Sequence, residues 1–189
     1  EQDAPVFETG FDDPANYPVG EEERQNYLFE NGKLTVVSMG EEHRSIAIVD
    51  GLAVESYAVE FLVNLKQTSP DGHCFYISDN IHTDDTDRRT ISPYLHAAQS
   101  LGLGYFDFSQ KDRDIASIHV ENVSGDKVIR FILVGDLAAA FLDGELVYTV
   151  RIPGGSDVYQ EPRLGGNMGV TCEFDDFKLW DLSSLSTAP

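Results

Sequence analysis

The chain has 189 residues, 41% of them hydrophobic, and a formal net charge of -20 from 33 acidic against 13 basic side chains. That length fits one domain with a sizeable core, and a field of that sign repels phosphate backbones and anionic lipid heads, which argues against nucleic acid and membrane surfaces as partners and favours cations. No run approaches the roughly eighteen apolar residues of a membrane span, and "EQDAPVFETG" has neither the basic nor the greasy region of a signal peptide, so the sequence reads as a mature secreted form or an excised domain.

Along the chain the dominant period is two, with turn residues recurring between β-branched and aromatic runs. "NYLFE" and "KLTVVSM" flank Asn31-Gly32, a pair suited to a two-residue hairpin turn. A short strand follows at Ser45 to Val49. The clearest strand is "ESYAVEFLVNLKQ", where Tyr57, Val59, Phe61, Val63 and Leu65 share one face and more polar residues the other. After a strand from His73 to Ser78 the regularity stops. The segment 78–114 carries polar clusters, Pro93 and several glycines, and is expected to form long loops with a helical turn at "YLHAAQSLG". A strand at Ile115 to Val120 leads into a three-stranded meander over "KVIRFILVGDLAAAFLDGELVYTVRI", with turns at Gly135-Asp136 and Asp143-Gly144. The last strand covers Gly169 to Trp180. The expectation is an all-β domain spanning 1–189, with a core at about 6–182 and a polar tail at 183–189. Tyr57, Val59, Phe61, Phe131, Leu133, Phe174 and Leu179 should be buried, and Trp180 should lie outside the main core.

Two features of this pattern bear on chemistry. In "HCFYIS" the apolar pair Phe75 and Ile77 is expected to face inward, which puts Cys74 on the opposite face, whereas Cys172 shares a face with Val170 and Phe174. Two separate thiols are therefore the favoured reading, with one disulfide across a long loop as the alternative. In "GVTCEFDDFKLWDL", Val170, Cys172 and Phe174 share one parity and Phe177 and Leu179 the other. All five can be core residues only if a β-bulge places one extra residue, Asp175 or Asp176, between them.

The run "PVFETGFDD", then "NGKLTV", then "VIRFILVGDLAAAFLDGELVYTV" and the closing "LGGNMGVTCEFDDFKLWDL" together resemble the concanavalin A-like lectin and glucanase family, which includes laminin G-like and carbohydrate-binding modules. The resemblance covers most of the chain and implies a two-sheet antiparallel jelly-roll β-sandwich. It also implies a structural Ca²⁺ tying the first and last strands together, with Glu8, the carbonyl of Gly32 or a neighbour, and Asp175, with Asp176 as alternate, as ligands; hard oxygen donors of this kind suit Ca²⁺.

Other acids fit catalysis or metal binding less well. "DDTD" (Asp84, Asp85, Asp87) lacks the spacing of an EF-hand loop and, followed by Arg88 and Arg89, reads as a self-paired solvated loop. Glycosidases need two carboxyls flanking one sugar, and jelly-roll glucanases carry acids at i, i+2 and i+4 of one strand. Glu173, Asp175 and Phe177 come nearest, with a phenylalanine in the third place. The five histidines are scattered and stand beside no nucleophile motif.

Binding is the function this elimination leaves. Tyr76, Asn80, Arg89, Tyr94 and Tyr105 offer aromatic faces and planar polar groups for a carbohydrate, and Asn122 in "NVS" is a possible glycosylation site. The sequence reads as a noncatalytic extracellular recognition or adhesion module for carbohydrate. A spacer domain that contacts surface proteins is the alternative, and a glycoside-active enzyme is the weaker one.

Overall fold

The computed structural model describes residues 4–17, 19–20, 23–49, 51–67, 69–80, 89–107, 110–152 and 159–186. Two antiparallel sheets account for most of them. The larger sheet holds β1 (Phe7–Thr9), β2 (Tyr27–Glu30), β3 (Lys33–Val37), β6 (Tyr57–Gln67), β11 (Asp126–Val134), β12 (Leu137–Leu142), β13 (Glu145–Arg151) and β15 (Thr171–Asp181). Its order is β13-β12-β11-β6-β15-β3-β2, with β1 also paired to β15. The smaller sheet holds β4 (His43–Ala47), β5 (Ala53–Val54), β7 (His73–Asn80), β8 (Arg89–His96), β9 (Ser100–Asp107), β10 (Gln110–His119) and β14 (Tyr159–Asn167). It runs β10-β9-β8-β7-β14-β4, with β5 also on β14. One helical turn, α1 (Ser183–Ser186), follows β15. No described helix is long and apolar enough to cross a membrane.

The period-two pattern does what alternation demands. Tyr57, Val59, Phe61, Phe131, Leu133, Phe174 and Leu179 are all at most 1% exposed, and the rings of Tyr57, Phe61, Phe174 and Phe177 meet Tyr76 and one another between the sheets. Trp180 is buried but lies on the outer face of the larger sheet, across from Ala58, with the Arg130 guanidinium 5.9 Å above its ring. Positive φ at Asn31 and Gly32, and at Asp143 and Gly144, forms the two hairpin turns expected there.

The middle segment corrects the expectation of loops and a helical turn. Arg89–His96, Ser100–Asp107 and Gln110–His119 form three full strands, β8, β9 and β10, paired in sequence. Their glycines serve packing. A Cβ on Gly102 would lie 2.2 Å from the Tyr94 ring, which crosses it from β8. The same device hid β14, over which no strand was expected: a Cβ on Gly165 would lie 2.2 Å from the Arg44 carbonyl oxygen and 2.5 Å from the Phe75 ring. Gly165→Ala should therefore cost stability, at or beyond the upper end of the roughly 1 to 3 kcal/mol of an overpacked site, because a backbone oxygen cannot rotate away. A urea midpoint close to that of the parent chain would contradict this.

The cysteines are corrected too. Cys74 of β7 and Cys172 of β15 form a disulfide across the two sheets, with Cα atoms 5.8 Å apart. The parity of β7 is the reverse of that expected: Cys74, Tyr76 and Ser78 point inward, so Phe75 and Ile77 point out. Phe75 is nonetheless only 1% exposed, because the His43 ring covers it at 4.5 Å and His73 at 5.9 Å. A strand that is apolar on both faces gives no cue to which face is the core.

Candidate functional site

Reversing β7 builds a site. Its outward residues, with those of β4, β8 and β14, floor a groove of about 630 Å³ on the outer face of the smaller sheet, lined in part by His43, His73, Ser92, Tyr94, His96 and Asp114. The register sets the order of the groups. Asn167 of β14 stands opposite His43 on one side and His73 on the other, and His73 stands opposite His96. Four planar polar side chains thus cross four adjacent strands in one row, at the strand spacing of about 4.8 Å. One residue pair further along, Phe75 lies opposite both Gly165 and Tyr94. The rings interlock: His73 stacks on His96 at 5.7 Å and 17°, and lies 5.2 Å from Tyr94.

Burial tunes these groups. His73 is pushed down to about 4, first by burial and then by the neighbouring His96, against a smaller opposing hydrogen bond to the Asp71 backbone. His43 is lowered as well, by burial and then by Arg163. The Tyr94 hydroxyl is raised to about 12 by burial and by nearby Asp114, with Ser117 opposing. Among the described residues, His73 Nδ1 and Asn167 Oδ1 are buried polar atoms without a hydrogen-bond partner. Such atoms cost free energy in a settled core.

The His73 shift makes a test. A histidine kept neutral when folded but free to protonate when unfolded contributes stability that is complete above pH 6.5 and is lost as pH falls toward about 4. Stability through that window should fall by up to about 1.4 kcal/mol per pH unit from this group. His73→Gln should remove that part of the slope. Parallel pH-stability curves for the two proteins would refute the assignment.

The structure sorts the residues expected to bind. Tyr94 lines the groove. Tyr105 borders it but is 3% exposed and belongs to the core. Tyr76 must be corrected: it points between the sheets at 1% exposure and cannot meet a ligand. Arg89 opens β8, half-buried and paired in register with Asp107. The Asn80 side chain, and Asp84, Asp85, Asp87 and Arg88, lie outside the described residues. His43, His73, His96, Asn167 and Phe75 were missed, because they meet only through strand register and form no local motif. Asn122 is exposed in the turn after β10, where its Oδ1 accepts from the Ser124 N–H at 2.9 Å and the Ser124 hydroxyl at 2.7 Å.

A second constellation lies at the seam of the larger sheet. Along one edge, β15 pairs with β3 up to Phe174 opposite Leu34, and with β1 from Phe177 opposite Thr9. The bulge sits in the gap. Asp176 adopts φ 49°, Asp175 Oδ1 accepts from the Asp176 N–H at 2.8 Å, and both Phe174 and Phe177 stay fully buried. The turn at Gly32 reaches this gap from one side and the chain after β1 from the other: a Cβ on Gly32 would lie 3.1 Å from Asp12 Oδ1 and 3.3 Å from the Gly10 carbonyl oxygen. Glu8 is exposed opposite Lys178, on the stretch already paired. Among the described residues no three His, Cys, Asp or Glu side chains group closely enough to hold a metal by themselves, so an ion at the seam would draw on the carbonyls too. A carboxylate, a neighbouring carbonyl and a turn at positive φ with little room for a side chain fit a hard cation.

No protein-family model matches the chain, and no curated protein is similar to it. Its fold is shared widely with solved structures. LamAcat from Zobellia galactanivorans matches with a TM-score of 0.70 at 14% identity, over 94% of this chain and 98% of that one. The kappa-carrageenase from Pseudoalteromonas carrageenovora matches at 0.68 and 11%, over 92% of each. The carbohydrate-binding module CBM66 from Bacillus subtilis matches at 0.60 and 14%, over 78% and 86%. Identities this low speak for architecture alone, and the architecture is clear: the chain is a concanavalin A-like jelly-roll sandwich.

Proposed function

We propose that the chain is a noncatalytic, extracellular carbohydrate-recognition module whose binding surface is the groove on the smaller sheet, and whose ends are tied by a calcium ion. The observation that carries the reading is the row His43, Asn167, His73 and His96 beside Tyr94. His43, His73, His96 and Tyr94 line the groove and offer it planar hydrogen-bonding groups and an aromatic ring, the combination that sugar hydroxyls and sugar faces require. Neighbours of the same architecture include LamA in complex with laminaritriose and laminaritetraose and the kappa-carrageenase with an oligotetrasaccharide.

Binding without turnover is favoured by where the acids lie. Glu173 and Asp175 belong to the other sheet, and Glu173 is held between Lys33 at 3.8 Å and Lys66 at 3.2 Å. Along the groove, the two described carboxylates come from different elements, Asp71 preceding β7 and Asp114 on β10, and not from spaced positions of one strand. The buried disulfide supports an oxidising, extracellular setting. For the calcium, Asp12, Asp175 and the carbonyls of Gly10 and Gly32 would hold the ion, which supplies only a cross-link between chain ends.

A glycan array run in calcium and in chelator tests recognition against a spacer role. Binding to a defined glycan set that fails for His43→Ala and His96→Ala, with both variants folded, is the expected result. An array blank in both conditions would favour the spacer.

A further inference from the structure

We infer that the groove selects uncharged glycans and rejects sulfated and uronic ones; the inference rests on the recognition reading above and specifies its ligand class. Among the described residues lining the groove there is no lysine or arginine, and it is lined by two carboxylates, Asp71 and Asp114. Arg163, on β14 beside the groove, is tied down: its Nε donates to Ser45 Oγ at 3.1 Å and its Nη2 to the Ser45 carbonyl at 3.3 Å. Burial keeps His43 and His73 neutral at physiological pH. A sulfate or carboxylate brought into this groove would lose water and meet the Asp71 and Asp114 carboxylates, with no lysine or arginine among the described lining residues and Arg163 beside the groove already donating to Ser45, a costly exchange, inside the field of a chain carrying a net charge of -20. A hydroxyl meets the opposite situation. Ser92 and Thr90 on the groove lining are neutral donors and acceptors, and a hydroxyl can both give and take a hydrogen bond.

The test pairs each neutral oligosaccharide with a charged counterpart of the same backbone. The panel is neutral oligomers of glucose, galactose, mannose, xylose and fructose, with the sulfated or uronate form of each available backbone, titrated calorimetrically into the calcium-loaded chain at about 50 and about 500 mM salt. The expected result is that a neutral oligomer binds with a Kd nearly independent of salt. Its charged counterpart should bind at least roughly tenfold more weakly at low salt, with the gap narrowing as salt screens the repulsion. A charged counterpart that binds as tightly as the neutral one, or more tightly, overturns the charge filter and leaves recognition standing. Absence of binding by every member overturns recognition itself and this inference with it.

Discussion

Replacing both cysteines, Cys74→Ala with Cys172→Ala, should lower the stability of the domain by about 4 to 5 kcal/mol. The disulfide joins residues 98 apart in sequence, and closing a loop of that length removes about that much chain entropy from the unfolded state. For a domain of this size the loss corresponds to a fall in melting temperature of roughly 10 to 20 °C. The bond also ties one sheet to the other, with both half-cystines at most 1% exposed, so reductant should reach it only when the sandwich opens. Native protein held in reductant without denaturant should keep its disulfide for long periods and lose it quickly in urea. A double variant melting within a few degrees of the parent, or two free thiols counted per native chain, would show that the bridge does not hold the sheets.

Calcium should have the next largest effect. A ligand that binds only the folded chain adds about 2.7 kcal/mol at a hundredfold excess over its Kd, or roughly 5 to 10 °C for this domain. Chelation should remove that increment. Asp12→Asn and Asp175→Asn should each reproduce the loss and abolish the further response to chelator, because Asp12 stands against Gly32 and Asp175 opens the bulge between the β3 and β1 pairings. Glu8→Gln should leave the calcium response intact, since Glu8 is exposed opposite Lys178. Melting curves indifferent to calcium and chelator would leave the bulge as a device of shape alone, needed to turn Phe177 back into the core.

Much of the architecture was legible because its signals are local. Alternation in β6 and β11, the turns at Asn31-Gly32 and Asp143-Gly144, and the parity break at Asp175-Asp176 each follow from a few neighbouring residues. The groove was illegible for the opposite reason. His43, Asn167, His73 and His96 come from four strands, and nothing near any of them in sequence marks it as one of a set. β7 misled because Phe75 and Ile77 are as apolar as the core residues beside them, which hid both the groove floor and the disulfide. β8 and β9 read as loops, and β14 drew no strand assignment, because their glycines and prolines, including Gly102 under Tyr94 and Gly165 under Phe75, serve close packing of rings on a sheet. Tyr76 reads from sequence like any other aromatic binder, and only its parity with Cys74 places it inside.

The central claim is that a glycan lies on the outer face of the smaller sheet and leaves unchanged. Backbone amide shifts recorded during titration with an array-selected oligosaccharide, followed by analysis of that sugar after prolonged incubation, test both parts at once. The account predicts shifts concentrated on β4, β7, β8 and β14 around His43, His73, Tyr94, His96 and Asn167, and an intact oligosaccharide. Shifts confined to the larger sheet around Arg130 and Trp180, or recovery of cleaved sugar, would contradict it.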